Sequence, residues 1–307
     1  MYNEKRKRQY LDEKSRDAKI SDNLITAFEA AEQYEEKIGH DICEWTTDQI
    51  LGFYVKLATP YVQTLIVLHS SLGQYAEWCL QNGLVSDNQN HFREINSKTV
   101  HRCADVNALK DRLFTREELL EEINQLPNDS DKFIILSLFE GIPIRGGVMA
   151  RITMDDLDGY ELTLRNDTGI RIATRTITNE LHHIMENAND EKSYTSMAKE
   201  QRSYPYDLSE NTVIKTILSR RNALRCTDSA LANRMRNCFR SLGHENITVK
   251  SLMESGRIHF IKNYCKENNI SWEAAVGDRV HRTIHEDIFG KIQSVPVYMR
   301  MYGKFYE

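Results

Sequence analysis

Asn246-Ile247-Thr248-Val249-Lys250-Ser251-Leu252-Met253 is the stretch on which the reading of this chain turns. Ile247, Thr248 and Leu252 set the frame of a turn that runs into a helix. Lys250 places an ammonium group in that frame, a group suited to contacting a phosphate. Three residues on, Met253 offers only a thioether, which donates no hydrogen bond. Of these two positions, only Lys250 can donate a hydrogen bond to a phosphate.

The rest of the 307 residues is long enough for two domains. An apolar share of 40% supports real cores, and 28% charge with few Pro and Gly points to a helix-rich soluble protein. No run of about 18 apolar residues occurs, so no membrane partner is expected. The basic start, Met1-Tyr2-Asn3-Glu4-Lys5-Arg6-Lys7-Arg8, has no apolar stretch behind it and does not read as a secretory signal. Six scattered cysteines (Cys43, Cys79, Cys103, Cys226, Cys238, Cys265) form no CxxC pair and read as reduced, mostly buried thiols of a cytoplasmic protein. A net charge of −5 does not itself favour a nucleic-acid partner, but the charge is unevenly distributed.

Helical periodicity dominates up to about Asn107. A helix over 20–38 carries Ile25, Phe28, Ala31 and Tyr34 at helical spacing, with Gly39 as its stop. Thr46 or Thr47 caps a second, striped by Ile50, Leu51, Tyr54, Val55 and Leu57. A third, 61–82, turns Leu65, Leu68, Leu72, Tyr75, Ala76 and Cys79 inward and closes at Gly83. The polar stretch His101 to Lys110 marks a boundary, giving domains 1–107 and 112–307. Thr115 and Glu118 form a capping box at the start of a helix, and 131–140 is a buried helix ending at Gly141. Alternation over 160–164 and 170–177 around Asn166-Asp167-Thr168-Gly169 predicts a β-hairpin. From Asn179 onward the pattern returns to helices.

From about Asn23 onward this layout resembles the tyrosine recombinase (phage integrase) family. The carriers are Thr59-Pro60-Tyr61-Val62-Gln63-Thr64 opening a long helix that ends in Tyr75-Ala76-Glu77-Trp78; Leu113-Phe114-Thr115-Arg116-Glu117-Glu118; Phe139 to Arg145; Ile152 to Leu157 with the hairpin; and the stretch quoted first. The resemblance implies a mainly α fold with a small β-hairpin or sheet, in two domains, one helical and core-binding, the other catalytic-like. The family's strand transfer uses an Arg, a hairpin Lys, a His-x-x-Arg pair, a second His and a Tyr nucleophile. Here Arg145 is the candidate first Arg, although two extra residues separate it from Gly141. The hairpin offers Arg165 and Arg171, and Lys250 and Met253 stand where the His and Arg belong. No Gly-His precedes the C-terminal tyrosines, and Tyr298, Tyr302 and Tyr306 lie in an apolar, helix-like pattern that reads as packing. Arg145, Lys250, Tyr298 and Tyr302 are thus vestigial candidates, with no catalytic residue, metal or cofactor expected.

The nearest parallel is with the integrase-fold repressors of SPbeta-like temperate phages. It implies a DNA-binding regulator that silences a prophage's lytic genes from operator sites on double-stranded DNA, in the host cytoplasm on the nucleoid. An antirepressor peptide or protein is its candidate partner. The alternatives are an active, divergent integrase using Arg145, Lys250 and a C-terminal tyrosine, and an interaction module whose basic segment binds an acidic partner.

Lys215 to Arg240 supplies the positive charge: Lys215, Arg220, Arg221, Arg225, Arg234, Arg236 and Arg240 against Asp228 alone. Thr227-Asp228-Ser229 caps a helix that turns Leu231, Met235, Cys238 and Phe239 inward, leaving Asn233, Arg234, Arg236 and Asn237 outward. Arg reads guanine and Asn reads adenine in a major groove, so this is the candidate reader helix; its bland counterpart is a solvated face. Thr59, Tyr61, Gln63 and Thr64 form a second candidate surface, against a plain helix start after Pro60. Lys250 is a phosphate contact. Lys5-Arg6-Lys7-Arg8 reads either as an arm toward DNA or as a frayed surface helix. His182-His183 and His281…His285 lack a third ligand at a recognisable spacing, and Arg145-Gly146-Gly147 lacks the Lys and Ser/Thr of a phosphate loop.

Overall fold

A computed structural model describes residues 1–17, 22–197, 201–218 and 226–306. By internal contacts the chain divides into two compact units, Met1–Lys110 and Asp111–Glu307. Among the described residues no helix is long and apolar enough to cross a membrane.

The first unit is all helical: α1 (Glu4–Asp17), α2 (Asp22–Ile38), α3 (Thr47–Lys56), α4 (Val62–Gln81) and α5 (Ser97–Arg102). Gly39, at φ +73, ends α2 in the left-handed conformation that glycine adopts without strain. Thr46 caps α3 in a box with Gln49. The six inward positions read for α4 are all buried around a core with Phe28, Ile42, Trp45 and Phe53. Ile25 and Val55 depart from the expected stripes and are exposed, at 37% and 61%. Leu24 and Phe53, one and two positions away, take the inward places.

The N-terminal basic run is divided: Lys5 and Arg8 are exposed on α1, while Lys7 turns inward. Lys7 is fully buried on α1 and pairs with buried Glu35 of α2, which also accepts from Ile42 N at 3.1 Å. Arg6 stands 3.7 Å from Asp41, and Asn3 donates to Asp41 at 3.0 Å. Burial pushes the Glu35 carboxyl up to about 7 even though the Lys7 ammonium works the other way. Where the sequence reads as a polar linker, a 3-10 helix spans Val106–Arg112.

The second unit comprises α6 (Arg116–Asn124), α7 (Asp129–Phe139), α8 (Val148–Arg151), β1 (Leu157–Asp158), β2 (Glu161–Arg165), β3 (Arg171–Thr176), α9 (Asn179–Asp190), β4 (Ser193–Thr195), β5 (Ser203–Pro205), α10 (Asp228–Ser241), α11 (Val249–Asn268), α12 (Trp272–Gly277), α13 (Arg279–Phe289) and α14 (Val295–Tyr302). Thr115 and Glu118 close the expected capping box on α6. The expected hairpin is antiparallel β2-β3, with β1 on the outer side of β2. Leu162 and Leu164 point to the core, and Asn166 Oδ1 accepts from Thr168 N and Ile170 N at 3.1 and 2.9 Å to hold the turn. A second, shorter antiparallel pair, β4-β5, interrupts the run expected to be helical after Asn179, with Tyr194 opposite Tyr204.

α7 is buried along its length and forms the centre of this unit's core. It packs against both α9 and α11, and meets α11 backbone to backbone. A Cβ built on Gly256 would stand 1.7 Å from the carbonyl oxygen of Phe139, so only glycine lets the two backbones approach this far.

Candidate nucleic-acid interface

α10 is built as the sequence indicates. Thr227 caps it by accepting from Ala230 N at 3.2 Å, and Leu231, Met235, Cys238 and Phe239 are buried. Thr227, Ser229, Asn233, Arg236, Asn237 and Arg240 are exposed, and Arg236 Nε donates within its own helix, to Ala232 O at 3.3 Å. These side chains form one polar face with two asparagines and two arginines, a donor and acceptor set that fits base edges and phosphates.

Arg234 is a correction to that reading. It was expected outward, yet its guanidinium turns in: Nε donates to Asp131 at 2.9 Å and Nη2 to Ser130 Oγ at 2.9 Å, while its face lies 5.0 Å from the Tyr194 ring. The cause is geometric. At about 100° per residue, position 234 sits on the flank of the buried stripe, and a long side chain there reaches the neighbouring helix. Burial opposes the charge on Arg234, but fully buried Asp131 outweighs it, and the guanidinium is held above its ordinary value. Lys215 is likewise withdrawn from the expected basic surface. It is buried, and its Nζ donates to Ala188 O at 3.2 Å and to Asn189 O at the end of α9. Arg220, Arg221 and Arg225 lie outside the described residues.

Arg145 is exposed on a tight turn whose Gly146 and Gly147 both take positive φ, +73° and +66°. Asp228, in the first turn of α10, accepts from Gly146 N at 3.0 Å and Gly147 N at 3.2 Å. Asp167 of the hairpin turn packs on Gly147, and its carbonyl accepts from Arg151 at 2.5 Å. The structure therefore brings Arg145 together with the start of α10 and the tip of the β2-β3 hairpin. Arg165 on that hairpin pairs with Asp156 at 2.8 Å, and Arg171 donates to Thr174 at 2.5 Å.

Thr248 caps α11 with Ser251, which leaves Lys250 exposed in the first turn. Met253, one turn on, packs against the apolar core of the unit. Behind it Glu254 and Arg257 face each other at 3.7 Å, and Arg257 donates to Phe289 O and Gly290 O at 2.7 and 2.6 Å. Burial pushes the Glu254 carboxyl up, against the pull of Arg257 and Lys250. Tyr298 is buried over Arg257, with its hydroxyl 3.0 Å from that of Tyr306. Burial, then the Glu254 charge, lifts the Tyr298 phenol well above the usual range. Tyr302 is buried with its ring 4.7 Å from that of Tyr298. Sequence reading missed the Glu254–Arg257 pair; its only signal there is an acid and a base one helical turn apart.

In the first unit, Gln63 and Thr64 are exposed at the start of α4, Tyr61 is half-buried, and Thr59 Oγ1 accepts from Tyr61 N at 3.3 Å. Of the histidines weighed as metal ligands, His281 bonds Tyr264 Oη at 2.8 Å and His285 is buried. Scattered in sequence, Cys43 and Cys79 meet Asp41 with ligand atoms all within 4.8 Å. Arg6, 3.4 Å from Cys43 Sγ, already sets a cation beside that group.

The fold and this arrangement define a protein of the tyrosine recombinase fold. Residues 1–81 match the family described as MrpR, N-terminal core-binding domain, and residues 113–275 the one described as MrpR, C-terminal catalytic domain. The chain belongs to the MrpR family. Among solved structures it is similar to a lambda integrase (75-356) dimer bound to a COC' core site, at 12% identity and a TM-score of 0.49, covering 96% of this chain and 94% of that one. It is also similar to XerA recombinase, at 13% identity and a TM-score of 0.38, covering 99% of each chain. No curated protein matches it.

Proposed function

We propose that this chain is a sequence-specific double-stranded DNA-binding repressor of a temperate phage or prophage, built on a recombinase scaffold that does not cut. One observation carries the reading. Where the family grips the scissile phosphate with a His and an Arg, this chain has an exposed Lys250 and a core-packed Met253. The C-terminal tyrosines fit the same reading, because the Tyr298 hydroxyl is buried against Tyr306 and Glu254 with its phenol held protonated. Loss of one charge-stabilising donor costs ~10²–10³ in rate. The polar face of α10, with Asn233, Arg236, Asn237 and Arg240, supplies base and phosphate contacts, and Arg145 and Lys250 supply further phosphate contacts. The exposed start of α4, Gln63 and Thr64, is a second contact surface in the first unit. The repressor acts on the nucleoid in the host cytoplasm, and an antirepressor peptide or protein is the partner that would release it.

The test is a gel shift of the purified chain on fragments of its own genome, each sample split with and without SDS. Specific shifts that vanish in SDS are expected. An SDS-resistant adduct that a Tyr→Phe change at 298, 302 or 306 abolishes would replace this reading with a divergent integrase. Binding without sequence preference at physiological salt would replace it with an interaction module.

A further inference from the structure

A cleft of about 500 Å³ opens in the second unit, lined from the start of α6, the end of α7, β3, the middle of α11 and the end of α13. None of the DNA-facing residues proposed above lines it. Its volume lies in the range of small-molecule sites. Phe139, Phe260 and Phe289 give it an aromatic lining, the last two meeting edge to face at 6.1 Å.

The charged groups around this lining are not equivalent. Arg116 pairs with Glu180 at 2.8 Å and donates to Thr178 at 3.3 Å. Glu140 accepts from Thr178 N at 3.1 Å and from the Thr178 hydroxyl. Glu267 is exposed to solvent. Arg175 differs from all three: it donates to two backbone carbonyls, Thr174 O at 3.1 Å and Asp287 O at 2.5 Å, and its Nε is buried with no partner. Among the described residues no carboxylate lies within ion-pair distance of it. His259 lies beside Phe139, and burial, then Arg116, lowers its ring below the ordinary value. An aromatic cleft lined by a guanidinium with no carboxylate beside it suits an anionic group on an apolar body.

We infer that this cleft binds an organic carboxylate with an aromatic or branched apolar body, the carboxylate on Arg175 and the body against Phe139, Phe260 and Phe289. The same chemistry is offered by a free small molecule and by the carboxyl terminus of a peptide.

The experiment uses the full chain without DNA, with isoleucine methyl groups labelled, so it stands or falls apart from the repressor reading. Ile288 lines the cleft, and its methyl resonance is the site-specific readout. The probes are N-acetyl-L-phenylalanine, its primary amide, and a tetra-alanine peptide extended by a C-terminal phenylalanine. A saturable Ile288 shift is expected with the carboxylates, and binding about tenfold weaker with the amide. Arg175→Gln should remove that preference and Arg175→Lys should keep it, which separates a lost charge from a disturbed fold. Tighter binding of the peptide assigns the site to a chain terminus, and tighter binding of the free probe assigns it to a small molecule. No saturable shift with either carboxylate, equal response to acid and amide, or a preference that survives Arg175→Gln would overturn the inference.

Discussion

Arg234→Ala separates a reader residue from a structural one. The change removes a guanidinium whose Nε and Nη2 stand 2.9 and 2.8 Å from Asp131 and whose Nη2 also holds Ser130 at 2.9 Å. Asp131 is left as a carboxylate with no exposed surface. Removing one member of a buried pair costs about 3–5 kcal/mol. Two features hold the figure to the lower end: Asn128 Nδ2 still donates to Asp131 at 2.9 Å, and Asp131 lies in the first turn of α7, where the helix dipole favours a negative charge. The expected loss is therefore about 3 kcal/mol, a large share of the 5–15 kcal/mol typical of a domain. Exposed Arg236→Ala should stay within about 0.5 kcal/mol of wild type while weakening operator binding by about 1–3 kcal/mol if a base contact is lost. Urea denaturation followed by circular dichroism measures the first quantity, with an unchanged slope required for comparison. The Asp131→Leu/Arg234→Met double change should cost less than Arg234→Ala, because it buries no lone charge. An Arg234→Ala chain within about 1 kcal/mol of wild type would refute the reasoning.

Three further outcomes are expected. His285 is buried, and burial, then Arg257, lowers its ring to about 4 from an ordinary 6.5. The unfolded chain therefore takes the proton first as pH falls: stability is full above pH 6.5 and is lost progressively toward pH 4. At pH 5 this loss is about 2 kcal/mol at 1.36 kcal/mol per unit, and His285→Leu should flatten a denaturation series run between pH 7 and 5 by that amount. Gly256→Ala forces a Cβ onto the Phe139 carbonyl and should cost about 3 kcal/mol, seen as a thermal midpoint lowered by about 6–12 °C; an unchanged midpoint would deny the close approach of α7 and α11. Lys215→Met should leave the salt dependence of DNA binding unchanged, whereas Arg240→Ala should lower its slope by about one. A lowered slope for Lys215→Met would place that ammonium on a phosphate instead of at the end of α9.

What was legible in the sequence is what local chemistry decides. Thr115, Thr227 and the Thr46-Thr47 pair announce their helices because a hydroxyl at an N-cap satisfies a backbone N–H a few residues away, whatever the rest of the chain does. Asn166 marks its turn for the same reason. The α4 stripe is readable because that helix has one apolar face. Side chains whose fate rests on a distant partner were not legible. Arg234 reads as a surface cation until Asp131, 103 positions away, is known to lie beneath it. Lys215 and Lys7 carry the same ambiguity, since a long side chain with a charged end suits either solvent or a buried partner. Ile25 and Val55 show the converse: period alone does not fix the phase of a stripe when neighbouring positions are also apolar. The short β4-β5 pair has too few residues for alternation to register.

The close contact between α7 and α11 has a dynamic consequence. With the Gly256 backbone against that of Phe139, and Arg234 pairing α10 with the other end of α7, α10 and α11 are both anchored to one helix. On the proposed reading, Lys250 at the head of α11 and the asparagine-arginine face of α10 are therefore set in relative position when the second unit folds, before any duplex arrives. A surface fixed in advance loses little conformational entropy on association. Changes to its edge residues should then appear mainly as faster release, with the rate of encounter nearly constant.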